Sequence, residues 1–155
     1  IEPGRYLSAE AGYLITEIRA IKKMGANTFY LVDAGFNDLA RPIMYGAYHP
    51  ISLAPKDGNS QRPSQPVVVG GPLCESGDIF TQEEGGFVCT RELPVANVGD
   101  FLVIECAGAY GFVMASNYNS RPLAAEVLLQ DQRAHQVRRR QSEADLISHE
   151  QIPAD

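Results

Sequence analysis

From residue 28 onward the chain breaks into short apolar runs, with glycine, proline or aspartate at most of the joins, and this punctuation limits the possible folds severely. Residues 28–32, 51–54, 67–69, 87–93, 101–106, 112–116, 124–129 and 134–139 each read as a strand. Asp33-Ala34-Gly35 ends the first of them, and Val98-Gly99-Asp100 reads as a tight turn between two others. The polar stretch 56–65, with Asp57-Gly58 and Asn59-Ser60, reads as a surface loop. Such spacing favours a closed β-barrel or sandwich over alternating β-α units. The segment before it differs. Ala11, Leu14, Ile15, Ile18 and Ile21 fall near a 3.6-residue period, Ser8 can serve as N-cap, and Lys22 and Lys23 suit a helix C-terminus. A helix over 8–23 is therefore expected, stopped by Gly25-Ala26-Asn27. One striped helix needs a partner surface, and nothing later in the sequence offers a helical one. A short last helix is expected over 143–149, and no internal repeat is visible.

With 155 residues and 45% hydrophobic content, the chain can fill one domain, or one domain and a fragment of a neighbour. No apolar run approaches the ~20 residues that span a bilayer, so no membrane segment is expected. The sequence opens Ile1-Glu2-Pro3-Gly4-Arg5, without an initiator methionine or a signal-like leader, and is expected to start inside a longer protein. A net charge of -6 with only 13 Lys and Arg argues against a nucleic-acid partner. Arg138-Arg139-Arg140, close to Glu143 and Asp145, reads as an ordinary solvated or interface patch. Cys74, Cys89 and Cys106 show no CxxC spacing, and their odd number fits reduced thiols in a cytoplasmic protein. Cys89 and Cys106 lie in alternating apolar segments and read as small buried hydrophobes. His49, His135 and His149 are far apart, and no metal-ligand pattern includes them.

Four polar constellations are harder to assign to a core or a routine turn. In Glu2-Pro3-Gly4-Arg5 a tight turn precedes the expected helix; its backbone N–H groups and Arg5 can hold a phosphate or carboxylate, or Arg5 is merely a surface residue beside an N-cap. Arg41-Pro42 followed by Tyr45-Gly46-Ala47-Tyr48-His49-Pro50 joins a bidentate carboxylate clamp to tyrosine hydroxyls, and equally suits a protein interface. The run from Gly70 through Cys74-Glu75-Ser76-Gly77-Asp78 presents a thiol, two carboxylates and a hydroxyl beyond a strand end. There Cys74 can give a proton to a reacting carbon and Glu75 can bind an ammonium, or the run is a polar turn with an incidental cysteine. Tyr110, among small residues in Cys106-Ala107-Gly108-Ala109-Tyr110-Gly111, can lie against a flat ring, meet a phosphate, or cap a barrel end.

The ordered set Glu2-Pro3-Gly4-Arg5, Arg41-Pro42, Tyr45-Gly46-Ala47-Tyr48-His49, Gly71-Pro72-Leu73-Cys74-Glu75-Ser76-Gly77-Asp78 and Gly108-Ala109-Tyr110-Gly111 resembles the diaminopimelate decarboxylases. They are a branch of the pyridoxal-phosphate decarboxylases of fold type III. Ornithine, arginine and carboxynorspermidine decarboxylases are close relatives, and the Cys-Glu-Ser-Gly-Asp and Tyr-Gly-Ala-Tyr-His runs look like the diaminopimelate branch. The resemblance implies a mainly β domain like the C-terminal Greek-key barrel or sandwich of alanine racemase. By that reading residues 1–27 close an N-terminal (β/α)8 barrel, whose last helix they supply, and 28–155 form the β domain. The same resemblance implies cofactor contacts from Glu2, Pro3, Gly4, Arg5 and Tyr110, and substrate contacts from Arg5, Arg41, Tyr45, Glu75 and Tyr110. Cys74 would reprotonate the α-carbon once carbon dioxide has left. Cys74 and Glu75 would reach into the site of a partner subunit in a homodimer. The implied reaction is pyridoxal-phosphate-dependent conversion of meso-2,6-diaminopimelate to L-lysine and carbon dioxide, the last step of lysine biosynthesis. No residue fits the Schiff-base lysine, so the isolated chain is expected to be inactive. Two rival readings stand beside this one: a decarboxylase of another diamino acid, and a non-catalytic β-barrel dimerisation module.

Overall fold

The chain enters through a short helix, α1 (Gly4–Ser8), prolonged by a 3-10 turn at Ala9–Ala11, and then becomes strand rather than helix. The computed structural model describes residues 1 and 3–153, so Glu2 of the expected phosphate turn lies outside the described residues. β1 runs Leu14–Met24, with Thr16 and Ile18 buried and Ile15 and Arg19 exposed. That is a two-residue period over its first half. A helix over 8–23 is thereby corrected, and the physical reason lies in residue type. Ile15, Thr16, Ile18 and Ile21 are β-branched, losing rotamer freedom in a helix and packing well on a pleated sheet. Leu14, Ile18 and Ile21 fit a helical stripe only because a shift in register between Ile18 and Ala20 interrupts the alternation. The partners of this segment are strands of the same sheet, so no helical partner is missing.

Gly25 and Ala26 turn the chain into β2 (Asn27–Val32), which pairs antiparallel with β1. The loop after β2 leads to α2 (Arg41–Tyr45), which starts with Pro42 in its first turn and ends at Gly46 in the left-handed region, φ 58°. β3 (Ile51–Ala54), β4 (Ser64–Gly70), the small hairpin of β5 (Gln82–Glu83) and β6 (Phe87–Val88), β7 (Arg91–Pro94) and β8 (Phe101–Ile104) follow. The expected single strand over 87–93 is two, because Cys89 turns aside to bond Thr81 O through its N–H. Phe112–Met114 is a 3-10 turn and not the expected strand. Tyr110 at φ 58° has already turned the backbone there, and Gly111 sits so close to Ala107 O that a Cβ would lie 2.3 Å from it.

Six strands form one mixed sheet in the order β3-β8-β1-β2-β4-β7, and β3 and β7 come close enough for the sheet to be nearly closed. This is the expected mainly β, barrel-like architecture. Its interior holds Ile18, Tyr30, Val32, Val67, Val69, Leu93, Leu102 and Ile104. Tyr30 is fully buried yet satisfied: its hydroxyl donates to Pro94 O at 3.0 Å and accepts from Gln65 Nε2 at 2.8 Å and Ala96 N at 3.0 Å. Cys89 and Cys106, expected to be buried, are only half-buried, and Cys106 adopts a left-handed φ of 58° just beyond β8.

Residues Ile1–Ala115 make one compact unit and Ser116–Asp155 a second. In the second, β9 (Glu126–Gln130) and β10 (Arg133–Arg138) pair as a hairpin through Asp131 and Gln132, both at positive φ. A last short helix, α3 (Glu143–Leu146), begins at the expected place with a Ser142/Asp145 capping box. The basic run is solvated and paired: Arg139 grips both oxygens of Asp145 at 2.6 Å, and Arg138 meets Glu126. Among the described residues no helix is long and apolar enough to cross a membrane, and no group of His, Cys, Asp and Glu could hold a metal ion.

Candidate active site

Strand direction gathers the polar constellations. β2, β4 and β8 run one way and β1 and β3 the other, since β2 is parallel to β4 and antiparallel to β1, while β8 is antiparallel to β1 and β3. The segments that enter β1 and β3 and leave β2, β4 and β8 therefore all open toward the same end of the sheet. The segment that leaves β2 is also the one that enters β3, so there are four: they carry Arg5, Arg41–Tyr45 with Tyr48-His49, Cys74-Glu75 and Tyr110.

Close backbone approaches seat them. Gly12 and Gly108 meet so tightly that a Cβ on Gly12 would stand 2.4 Å from Gly108 Cα, and one on Gly108 would stand 2.0 Å from Ser8 O. Gly108 N bonds Ala9 O and Ala107 N bonds Gly12 O, which ties the α1 segment to the loop bearing Tyr110. The Arg41 guanidinium in turn lies 5.3 Å from the Tyr110 ring centroid and 5.5 Å from that of Tyr45, flanked by two π faces. Among the described residues neither Arg41 nor Arg5 has an acidic partner within ion-pair distance. Two uncompensated guanidiniums and two tyrosines suit a carboxylate.

The sequence reading placed His49 in the Tyr45–Pro50 run but gave it no role of its own. It is 4% exposed, and its Nδ1 lies 2.9 Å from Glu105 O, while its Nε2 is buried without a partner. Burial holds its pKa below the usual histidine value, the Glu105 carbonyl opposes this, and the charges of Arg41 and Arg5 lower it further. The ring is thus a neutral imidazole near both arginines. A histidine directly between a tyrosine and a proline was the available signal. Arg91, on β7, stacks over Tyr48 at 3.9 Å, a second Arg–Tyr pair that the sequence did not suggest. Asn37 is also buried, with both side-chain polar atoms unpartnered.

Of the acidic residues in the 74–78 run, Asp78 is buried, whereas Glu75 is exposed together with Cys74 and Ser76. Asp78 Oδ1 accepts from Phe36 N and Oδ2 from Leu73 N, both at 2.8 Å, and Gly71 packs against the carboxylate with no room for a Cβ. Gly77 packs on Ile43 of α2. Asp78 is therefore the anchor of the loop, and Cys74 and Glu75 are what the loop displays. Glu75 Oε1 accepts from Gly77 N at 3.2 Å and Ser76 Oγ at 3.3 Å, leaving its other oxygen to face outward contacts.

A family model for the C-terminal sheet domain of pyridoxal-dependent decarboxylases matches residues 6–108. Diaminopimelate decarboxylase of Escherichia coli K12 is 57% identical over 152 residues, covering 97% of this chain and 36% of the relative. A crystal structure of diaminopimelate decarboxylase superposes with a TM-score of 0.91 at 55% identity, over 93% of this chain and 35% of that one. The enzyme of M. jannaschii, solved with L-lysine, gives 0.83 at 38% identity over 96% and 32%. The chain spans about a third of the length of these relatives.

Proposed function

Since the chain belongs to the pyridoxal-dependent decarboxylase family through its C-terminal sheet domain, we propose that it is the C-terminal part of an enzyme that converts meso-2,6-diaminopimelate to L-lysine and carbon dioxide. The observation that carries this reading is the clamp of Arg41 between Tyr45 and Tyr110, with Arg5 near the same histidine and no acidic partner for either arginine among the described residues. A substrate that keeps a distal carboxylate after decarboxylation needs such a clamp. Ornithine and arginine have no second carboxylate to place there.

Pyridoxal 5'-phosphate, when bound, supplies the electron sink that makes loss of the α-carboxylate feasible. The residues present fit it. A Cβ on Gly4 would meet nothing within 4 Å, and Pro3 caps α1 without a side-chain bond, so the first-turn N–H groups are open to a phosphate, with Arg5 beside them. Tyr110, half-exposed in the strained left-handed region, offers its ring to the cofactor as well as its face to Arg41. Arg5, Arg41 and Tyr45 hold the distal carboxylate. Glu75 takes the distal ammonium with the carboxylate oxygen that its own loop leaves open. Cys74 Sγ delivers a proton to the α-carbon from which carbon dioxide has departed. Cys74 and Glu75 serve the site of a partner subunit, which makes the working unit a homodimer in the cytoplasm. The terminus of the (β/α)8 barrel is then confined to α1 and the 3-10 turn that follows, because β1 already belongs to the sheet.

Initial rates of the full-length enzyme with meso-diaminopimelate, ornithine, arginine and carboxynorspermidine test the reading. Preference for meso-diaminopimelate by a factor of roughly 10³ or more is expected, because an analogue leaves the Arg41 clamp or Glu75 without its partner. Equal or better turnover of ornithine or arginine would assign the chain to another branch of the family.

A further inference from the structure

Two buried polar atoms near the clamp are complementary and unused. Arg41 Nε–H is a donor without an acceptor, and His49 Nε2 has no partner. The His49 tautomer follows from its other nitrogen. Nδ1 faces a carbonyl oxygen, which can only accept, so Nδ1 carries the hydrogen and Nε2 of the neutral ring carries the lone pair. The faces of Tyr45 and Tyr110 attract the Arg41 guanidinium without fixing its rotation in its own plane. Bidentate recognition of a carboxylate depends on that rotation.

We propose that His49 is a positioning residue for the carboxylate clamp: its Nε2 lone pair takes up the Arg41 Nε–H across one bridging water, and so turns the two terminal amino groups of Arg41 toward a substrate carboxylate. The proposal rests on the reading that Arg41 binds such a carboxylate. Glu105 O holds the imidazole from behind, and Glu105 N bonds Pro50 O, so the ring is fixed to the end of β8 and the start of β3. Arg41 sits on α2, so this contact would join α2 to the barrel. Among the described residues Asn37 Oδ1 is the other unpartnered buried side-chain acceptor, four residues before Arg41.

Two substitutions in the holoenzyme separate anchoring of the ring from acceptance at Nε2. In His49→Asn the side-chain amide overlies the Nδ1 edge and keeps the donor to Glu105 O, but nothing reaches the Nε2 position. In His49→Gln an amide oxygen reaches the Nε2 position while the bond to Glu105 O is lost. His49→Asn should keep the wild-type melting temperature and cofactor absorbance, with KM for meso-diaminopimelate raised roughly tenfold and kcat little changed. His49→Gln should recover most of that loss. The affinity for pimelate, a dicarboxylate without amines, should follow the same order by calorimetry and reads the clamp whether or not the protein decarboxylates. A wild type that binds pimelate but does not turn over meso-diaminopimelate sinks the functional reading and leaves this inference to the pimelate series. A purely structural histidine gives the reverse order, with His49→Asn normal and His49→Gln impaired. That order, unchanged pimelate affinity in His49→Asn (as when Asn37 is the anchor), or no pimelate binding by the wild type overturns the inference.

Discussion

Asp100 shows how one residue can hold a loop without belonging to the site. Its buried carboxylate accepts from Asn97 N at 2.7 Å, Lys56 N at 2.9 Å and Arg62 at 2.6 Å, and Arg62 also reaches Asp57 at 2.7 Å. Burial alone would raise the Asp100 pKa, but the two backbone N–H groups and the guanidinium outweigh it and hold the carboxyl below its usual range. A carboxyl with a folded pKa below its unfolded value contributes stability that is fully present above pH of about 4 and is lost as pH falls through the folded value. Asp100→Asn should therefore lower the melting temperature at neutral pH and flatten the loss of stability on acidification below pH of about 4. Melting curves across that range in wild type and variant check it; parallel acid limbs would remove Asp100 from the account. In the sequence this residue was visible only as part of a turn, because its partners Lys56 and Arg62 come from a loop far away in the chain.

At the scale of elements, the β1–β2 hairpin is where sequence and structure part. Gly25 is at φ 58° and Ala26 is not at positive φ, the pattern of a two-residue turn with glycine first. Nothing lies within 4 Å of a Cβ on Gly25, so the cost of a side chain there is backbone strain alone. Gly25→Val should destabilise the chain by ~1–2 kcal/mol and Gly25→Asn by much less, since asparagine tolerates the left-handed region. Chemical denaturation midpoints measure both; equal effects would mean that the turn is not what ends β1. The strands expected at 28–32, 51–54, 67–69 and 101–106 were legible because each is a short apolar run with a turn at its end, although the last stops at Ile104. β1 was not, since its bulge and its lysines imitate a helical stripe. The partnership of Tyr45, Tyr110 and Arg41 was also out of reach as geometry, because pairing of β1 with β2 and β8 brings it about. Resemblance supplied the residues; the strand directions and the Gly12–Gly108 contact show why they meet.

For the whole molecule, the three lysines decide what the chain can do alone. Lys22 and Lys23 lie at the end of β1 and Lys56 just after β3, in both cases away from the sheet end that bears Arg5, Arg41 and Tyr110. Pyridoxal phosphate added to the 155 residues should give no site-specific lysine adduct in the absorption spectrum and no release of carbon dioxide. Stoichiometric adduct formation with turnover would refute that. The homodimer proposal makes a stronger demand, since it draws Arg41 and Cys74 of one working site from different subunits. Full-length Arg41→Ala and Cys74→Ala enzymes should each be nearly inactive. In a dimer that joins one of each, one site receives the intact arginine from one subunit and the intact cysteine from the other, while the second site receives both defects. Random reassortment makes half of the dimers mixed, with one of two sites restored, so activity should return to roughly a quarter of wild type. If both residues served the same site from one chain, mixing would restore nothing, and the activity of the reassorted pair separates the two arrangements.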